Sequence, residues 1–199
     1  MTDREKLIGA LGKIAWAYVF FYWDINFFVV NLLPDWAGWL LIWNALLVLG
    51  NEIPTAKLLQ NPAQILFFWG LGAEILEFFG VQVISGNTTV ALLGAVKLVM
   101  GVLNIYVNFQ LFTDLASLSD RNDLSQGRQL RALRVINVLI PTLMSLPFLE
   151  ALKWFYWTAV WVQLIAMIWT GVALFSLRKA LGQQEYPETQ KEAPWGAVQ

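Results

Sequence analysis

Six long blocks of apolar residues, separated by charged or Pro/Gly-rich breaks, decide what this chain can fold into. They run from about Leu7 to Leu33, Trp36 to Gly50, Ala63 to Ile84, Thr89 to Leu115, Ala132 to Leu149 and Trp154 to Leu177. A helix rising about 1.5 Å per residue needs about 20 apolar residues to cross a hydrocarbon layer of roughly 30 Å, so blocks of this length predict membrane-spanning helices. The second block is the shortest. It reaches only about 22 Å and is expected to share its crossing with a broken helix end.

Composition agrees with this reading. The chain is 58% hydrophobic and 14% charged, against roughly 45–50% and about 25% for soluble domains. Its 11 Trp and 13 Phe suit helices facing lipid and the headgroup boundary. The expected fold is all-α: a polytopic transmembrane helix bundle of about six spans over residues 1–181, multi-pass in a bacterial cytoplasmic membrane. Residues 182–199, rich in Gln, Glu, Pro and Lys, predict a disordered cytoplasmic tail. Asp3 and Glu5 interrupt the basic N-terminal residues, and the following block is too long for a secretory signal.

Charge placement predicts the orientation. With a cytoplasmic N-terminus, one side carries Arg4, Lys6, Lys13, Lys57, Arg121, Arg128, Arg131, Arg134, Arg178, Lys179 and Lys191. The other side carries only Lys153, and Lys97 falls inside a span. Basic residues are retained in the cytoplasm, so both termini are expected inside. The linker Asp120 to Arg134 then reads as a solvated cytoplasmic turn whose arginines can meet anionic lipid or a partner protein.

The chain contains no Cys and no His, which removes thiol nucleophiles, imidazole bases, the usual zinc ligands and His-ligated haem. No cofactor and no metal are expected, and a formal charge of −1 offers no basic surface for nucleic acid.

Ionisable groups inside a span each need a partner or a purpose, because insertion at mid-bilayer costs at least about 2.5 kcal/mol. Glu74, Glu77 and Lys97 stand out. Glu77 and Lys97 are about equally far from the Gly86 turn, which predicts an ion pair between the third and fourth spans. Lys97, Gly101, Asn104 and Asn108 recur at helical spacing and form one stripe; Gly70, Glu74, Glu77 and Gly80 form an answering one. Two readings stand side by side. The stripes are interhelical glue, or they line a polar pathway or ligand pocket in which Glu74, left over from the pair, is the lone carboxylate that proton coupling would need.

A second polar cluster, Asp24, Asn26, Asn31 and Asp35, lies at the outer end of the first block. Asp35, after Pro34, is expected to be the N-cap of the next helix. Asp24 is either a site residue or an interfacial one. Trp36, Trp39 and Trp43 share one face of the second span, and Trp154, Trp157 and Trp161 one face of the sixth. They form an interfacial belt or an aromatic pocket open to the outside.

The segment from Asn31 through Leu33, Pro34, Asp35 and Trp36 to Gly38 and Trp39 resembles a stretch in small uncharacterised membrane proteins of Gram-positive bacteria. That resemblance implies a bacterial membrane setting and no particular activity. In size and span number the chain is also similar to the substrate-binding membrane subunits of energy-coupling-factor vitamin transporters. That likeness implies about six helices, a pocket near the outer face and an ATPase partner. Their small-residue docking pattern is matched only roughly by Gly9, Gly12 and Ala15. The leading expectation is a non-enzymatic membrane protein that binds or transports a small solute, proton-coupled or as a transporter subunit. The alternatives are an accessory or scaffolding subunit of a larger membrane complex and, third, an intramembrane enzyme using Glu74 with Asp24.

Overall fold

The computed structural model describes residues 3–22, 26–27, 30–31, 34–79, 91–144 and 153–183. The chain is all-α in architecture. Its helices are α1 (Asp3–Tyr22), α2 (Asp35–Glu52), α3 (Pro54–Leu58), α4 (Gln60–Phe78), α5 (Ala91–Arg121), α6 (Gln126–Met144) and α7 (Lys153–Gln183), with two-residue strands β1 (Asn26–Phe27) and β2 (Val30–Asn31) between the first two. Six of these helices have 18 residues or more. Segments of two of them, Gly94–Arg121 in α5 and Trp161–Gln183 in α7, are long and apolar enough to cross a membrane.

Three boundaries differ from the sequence reading, each for a local reason. The first block is not one helix to Leu33. α1 spans Asp3–Tyr22, and by Asn26 the chain is strand: β1 pairs antiparallel with β2, Asn26 opposite Asn31 and Phe27 opposite Val30. Asn, Phe and Val are weak helix formers, and the aromatic and β-branched ones favour strand. The second block is longer than its apolar count, because Asn51 and Glu52 continue the helix to 18 residues. The charged linker is mostly helix as well: α5 runs to Arg121 and α6 starts at Gln126, so Arg128, Arg131 and Arg134 lie on α6. Gln, Arg, Leu and Ala favour helix, and Arg131 reaches back across the turn to pair with Asp120 at 2.5 Å.

Between α2 and α4 the chain turns without a loop. Ile53 caps both α2 and α3, donating its N–H to the Leu49 carbonyl at 2.8 Å, and Pro54 takes the first position of α3, where its missing donor costs nothing. The Gln60 amide closes the corner on the Leu46 carbonyl at 3.0 Å.

In space the long helices neighbour one another in the order α4, α2, α1, α7, α6, α5. α1 and α7 are antiparallel: the Arg178 side chain lies across Gly12, Trp16 meets Phe175 edge-on at 6.0 Å, and Gly182 lies beside Ile8. Arg4 donates to the Leu181 carbonyl and ties the two helix ends together.

The core sits at one end of the bundle. Its fully buried side chains are Leu11 and Ile14 of α1, Ile42, Leu46 and Leu49 of α2, Leu59 between α3 and α4, Leu111, Phe112 and Leu115 of α5, Leu130 and Leu133 of α6, and Leu174 of α7. These come from the middle of α1, the middle and second half of α2, the first half of α6 and the second half of α5 and α7, toward the end that gathers the basic residues. Toward the other end large apolar side chains face outward, among them Phe68, Ile75, Leu98, Val102, Trp157, Ile165 and Ile168. A soluble monomer rarely leaves contiguous apolar surface of that extent uncovered.

Candidate functional site

The polar stripe of α5 meets α1. Tyr18, 3% exposed, donates its hydroxyl hydrogen to Asn108 Oδ1 at 2.5 Å. Asn108 in turn donates from Nδ2 to the Asn104 carbonyl at 2.9 Å and to Asn104 Oδ1 at 2.5 Å. The Tyr18 ring is held between Phe21 and Phe112, with centroids 5.7 and 5.3 Å away. A buried tyrosine hydroxyl thus has its acceptor, and the Asn108 amide is half-buried beyond the packed core. Asn104 is exposed one turn further out.

The other residues of the expected site are spread more widely. Lys97 and Gly101 continue the stripe on an exposed face of α5. Glu74 is half-buried on α4, and α4 touches α5 only sparingly. The Glu77 side chain lies outside the described residues, as do Asp24 and the Gly86 turn, so the Glu77–Lys97 pair falls there too. Asn26 takes part through its backbone in the β1–β2 pair.

Asp35 is not the N-cap. It is the first helical residue of α2, Pro34 occupies the cap position, and the cap makes no side-chain hydrogen bond. Proline holds the extended geometry the cap needs, and an acid in the first turn favours the helix dipole.

The two tryptophan faces have different surroundings. Trp39 is buried against the Phe21 ring at 4.9 Å, and Trp36 and Trp43 flank Phe67 at 6.2 and 6.1 Å. The α2 rings are therefore packing groups between α1 and α4. Trp154, Trp157 and Trp161 of α7 are 69%, 62% and 62% exposed and form an outward face.

The sequence reading passed over the most hidden carboxylate among the described residues. Asp114, on α5, is 3% exposed. Its Oδ1 accepts from Thr55 Oγ1 at 2.7 Å and from Gln110 Nε2 at 2.8 Å, while Oδ2 has no hydrogen-bond partner. The available signal was an acid four residues after a glutamine in an apolar helix; it sat beside the charged linker and read as the end of the block. Nearby, Arg134 donates to Thr113 Oγ1 at 3.1 Å and lies over the Phe109 ring at 4.6 Å. Further bonds join α6 to α7, from Gln126 to Ser176 at 3.2 Å and from Asn137 to Thr170 at 3.1 Å. Among the described residues no three acids cluster as metal ligands.

Among the described residues, the helices form a bundle packed at its basic end, with exposed apolar side chains toward the other end and a short polar chain between them. Compared with known protein families, curated proteins and solved structures, the chain matches none.

Proposed function

We propose that this chain is a six-span protein of a bacterial cytoplasmic membrane, with both termini inside, that binds or moves a small solute without transforming it. The observation that carries the solute reading is the Tyr18–Asn108–Asn104 chain, set where the packed end of the bundle gives way to the open end. A solute entering from the outer side would meet amide donors and acceptors there, backed by Phe112 and Phe21.

The membrane setting draws support from the outward apolar side chains and from depth. The rise of α5 from Ala91 to Thr113 is about 33 Å, close to the hydrocarbon thickness. Arg134 is anchored at Thr113, and Lys13 and Arg178 gather near the same end. Basic side chains at that depth reach the cytoplasmic headgroups.

The test is native mass spectrometry of the full chain, gently extracted from its own membranes, with Asn108→Leu beside the wild type. A co-purified small molecule present in the wild type and lost in a folded Asn108→Leu supports the reading. The same small-molecule profile in both proteins sinks it.

A second reading, an accessory subunit of a larger membrane complex with or without an ATPase, is favoured by one observation. Asn104 lies exposed on a helix face rich in outward apolar side chains, where a neighbouring helix could cover it. Recovery with other membrane proteins and no small molecule in the same experiment would favour it.

A further inference from the structure

An open groove of about 410 Å³ runs along the surface between α1, α2 and α7. Its lining is divided by chemistry along its length. Gly9 and Gly12 form the floor, Lys13 and Arg178 stand at the basic end, and Trp16, Phe20 and Leu41 line the part toward the open end. Among the described residues no acidic one lines it.

The two cations share a level because the antiparallel register sets Arg178 across Gly12; a β-carbon there would stand 3.3 Å from Arg178 Nε. Both side chains are exposed, and neither makes an ion pair or hydrogen bond with a described residue. Other basic residues at this end are engaged: Lys6 with Asp3, Arg131 with Asp120, and Arg134 with Thr113 and Phe109.

We propose that this groove binds one anionic phospholipid of the cytoplasmic leaflet, its phosphate between Lys13 and Arg178 and an acyl chain against Trp16, Phe20 and Leu41. Two charges of one sign at the headgroup level ask for an anion, and the apolar wall directly above asks for hydrocarbon. A lipid supplies both in that order, and paired basic residues between helices on the cytoplasmic side suit anionic headgroups. A soluble anion would leave the apolar wall uncovered. The inference rests on the membrane reading above.

The test uses the full chain in a neutral detergent, titrated with dioleoyl phosphatidylglycerol or dioleoyl phosphatidylcholine and read by native mass spectrometry. One phosphatidylglycerol should be retained in preference to phosphatidylcholine, and Lys13→Gln with Arg178→Gln should erase the preference, a loss of about 30-fold for two cations. Both side chains are exposed and bond to none of the described residues, so this variant should keep its helix content. Gly9→Phe offers an independent check: a β-carbon at Gly9 meets nothing within 4 Å, so the ring can fill the groove and should displace the lipid with both cations intact. Lys6→Gln with Arg128→Gln, outside the groove, should leave retention unchanged.

Equal retention of the two lipids by the wild type, or an undiminished preference in the Lys13/Arg178 variant, overturns the site. So does retention of glycerol phosphate as firmly as the lipid, since the apolar wall would then be idle. Cysteine labelling in cells, which involves no added lipid, tests the membrane reading separately. Failure of the lipid preference with a correct topology therefore condemns the groove alone.

Discussion

Asp114 illustrates how unequally the fold treats two oxygens of one carboxylate. Oδ1 receives both Thr55 and Gln110, while Oδ2 is buried with no hydrogen bond. Thr55 belongs to the one-turn helix α3 and Gln110 to α5 itself, so the carboxylate fastens the α2–α4 corner to the middle of the bundle. Asp114→Ala removes the acceptor of two donors and is expected to cost about 1–3 kcal/mol. Thr55→Val removes one bond and should cost about 0.5–1.5 kcal/mol. Because the bond is shared, the double variant should fall short of the sum, as neighbouring sites do. Unfolding of the purified protein in detergent, followed by helical ellipticity, measures all three. An Asp114→Ala protein as stable as the wild type would show that the carboxylate does not hold this corner. At this scale the sequence was informative about residue type and silent about partners. It gave Asn104 and Asn108 a common face, and it did not show that Asn108 bonds to Tyr18 of α1. Spacing along one helix fixes which side chains share a face; it carries no information about which helix that face meets.

Among the elements, the turn from α5 to α6 is the most tightly specified. The Ser119 carbonyl accepts from the N–H of Asn122 at 3.2 Å and of Leu124 at 2.9 Å, and Asp123 N–H donates to the Asp120 carbonyl at 3.1 Å. This wrap requires a left-handed residue, and Asp123 supplies it with φ of 52°. Aspartate tolerates that conformation better than most residues, glycine better still, and a β-branched residue poorly. Asp123→Gly should therefore be neutral or slightly stabilising, and Asp123→Val should lower stability by about 1–2 kcal/mol. Equal midpoints for the two variants in the same unfolding assay would mean that the turn does not constrain α6. Apolar length pointed to the six long helices from the sequence, because a long run of apolar residues without a break satisfies its backbone hydrogen bonds within itself as a helix. Their ends were less legible. Gln126 to Arg134 reads as a polar linker by composition but as a helix by propensity, and propensity together with the Arg131–Asp120 pair prevailed.

For the molecule as a whole, α6 is the helix on which the topology turns. α5 and α7 each contain a segment that is apolar and long enough to cross a membrane. α6 is shorter, carries Arg128, Arg131 and Arg134 in its first half and contains Pro141. If α6 crosses, Asn122 before it and Lys153 after it lie on opposite sides; if it only lies along the surface, they lie on the same side. The absence of cysteine allows this to be decided with one reporter thiol at a time. Lys153→Cys should react with a membrane-impermeant maleimide on intact cells, and Asn122→Cys only after permeabilisation. Arg134 argues for the crossing, because its bond to Thr113 and its position over Phe109 hold it at the packed end while the rest of α6 continues past outward-facing α5. Reaction of both thiols from outside, or of neither, would put α6 on the surface and leave an odd number of spans. Reaction of Asn122→Cys alone would invert the protein, turning its basic end outward against the retention of positive charge in the cytoplasm.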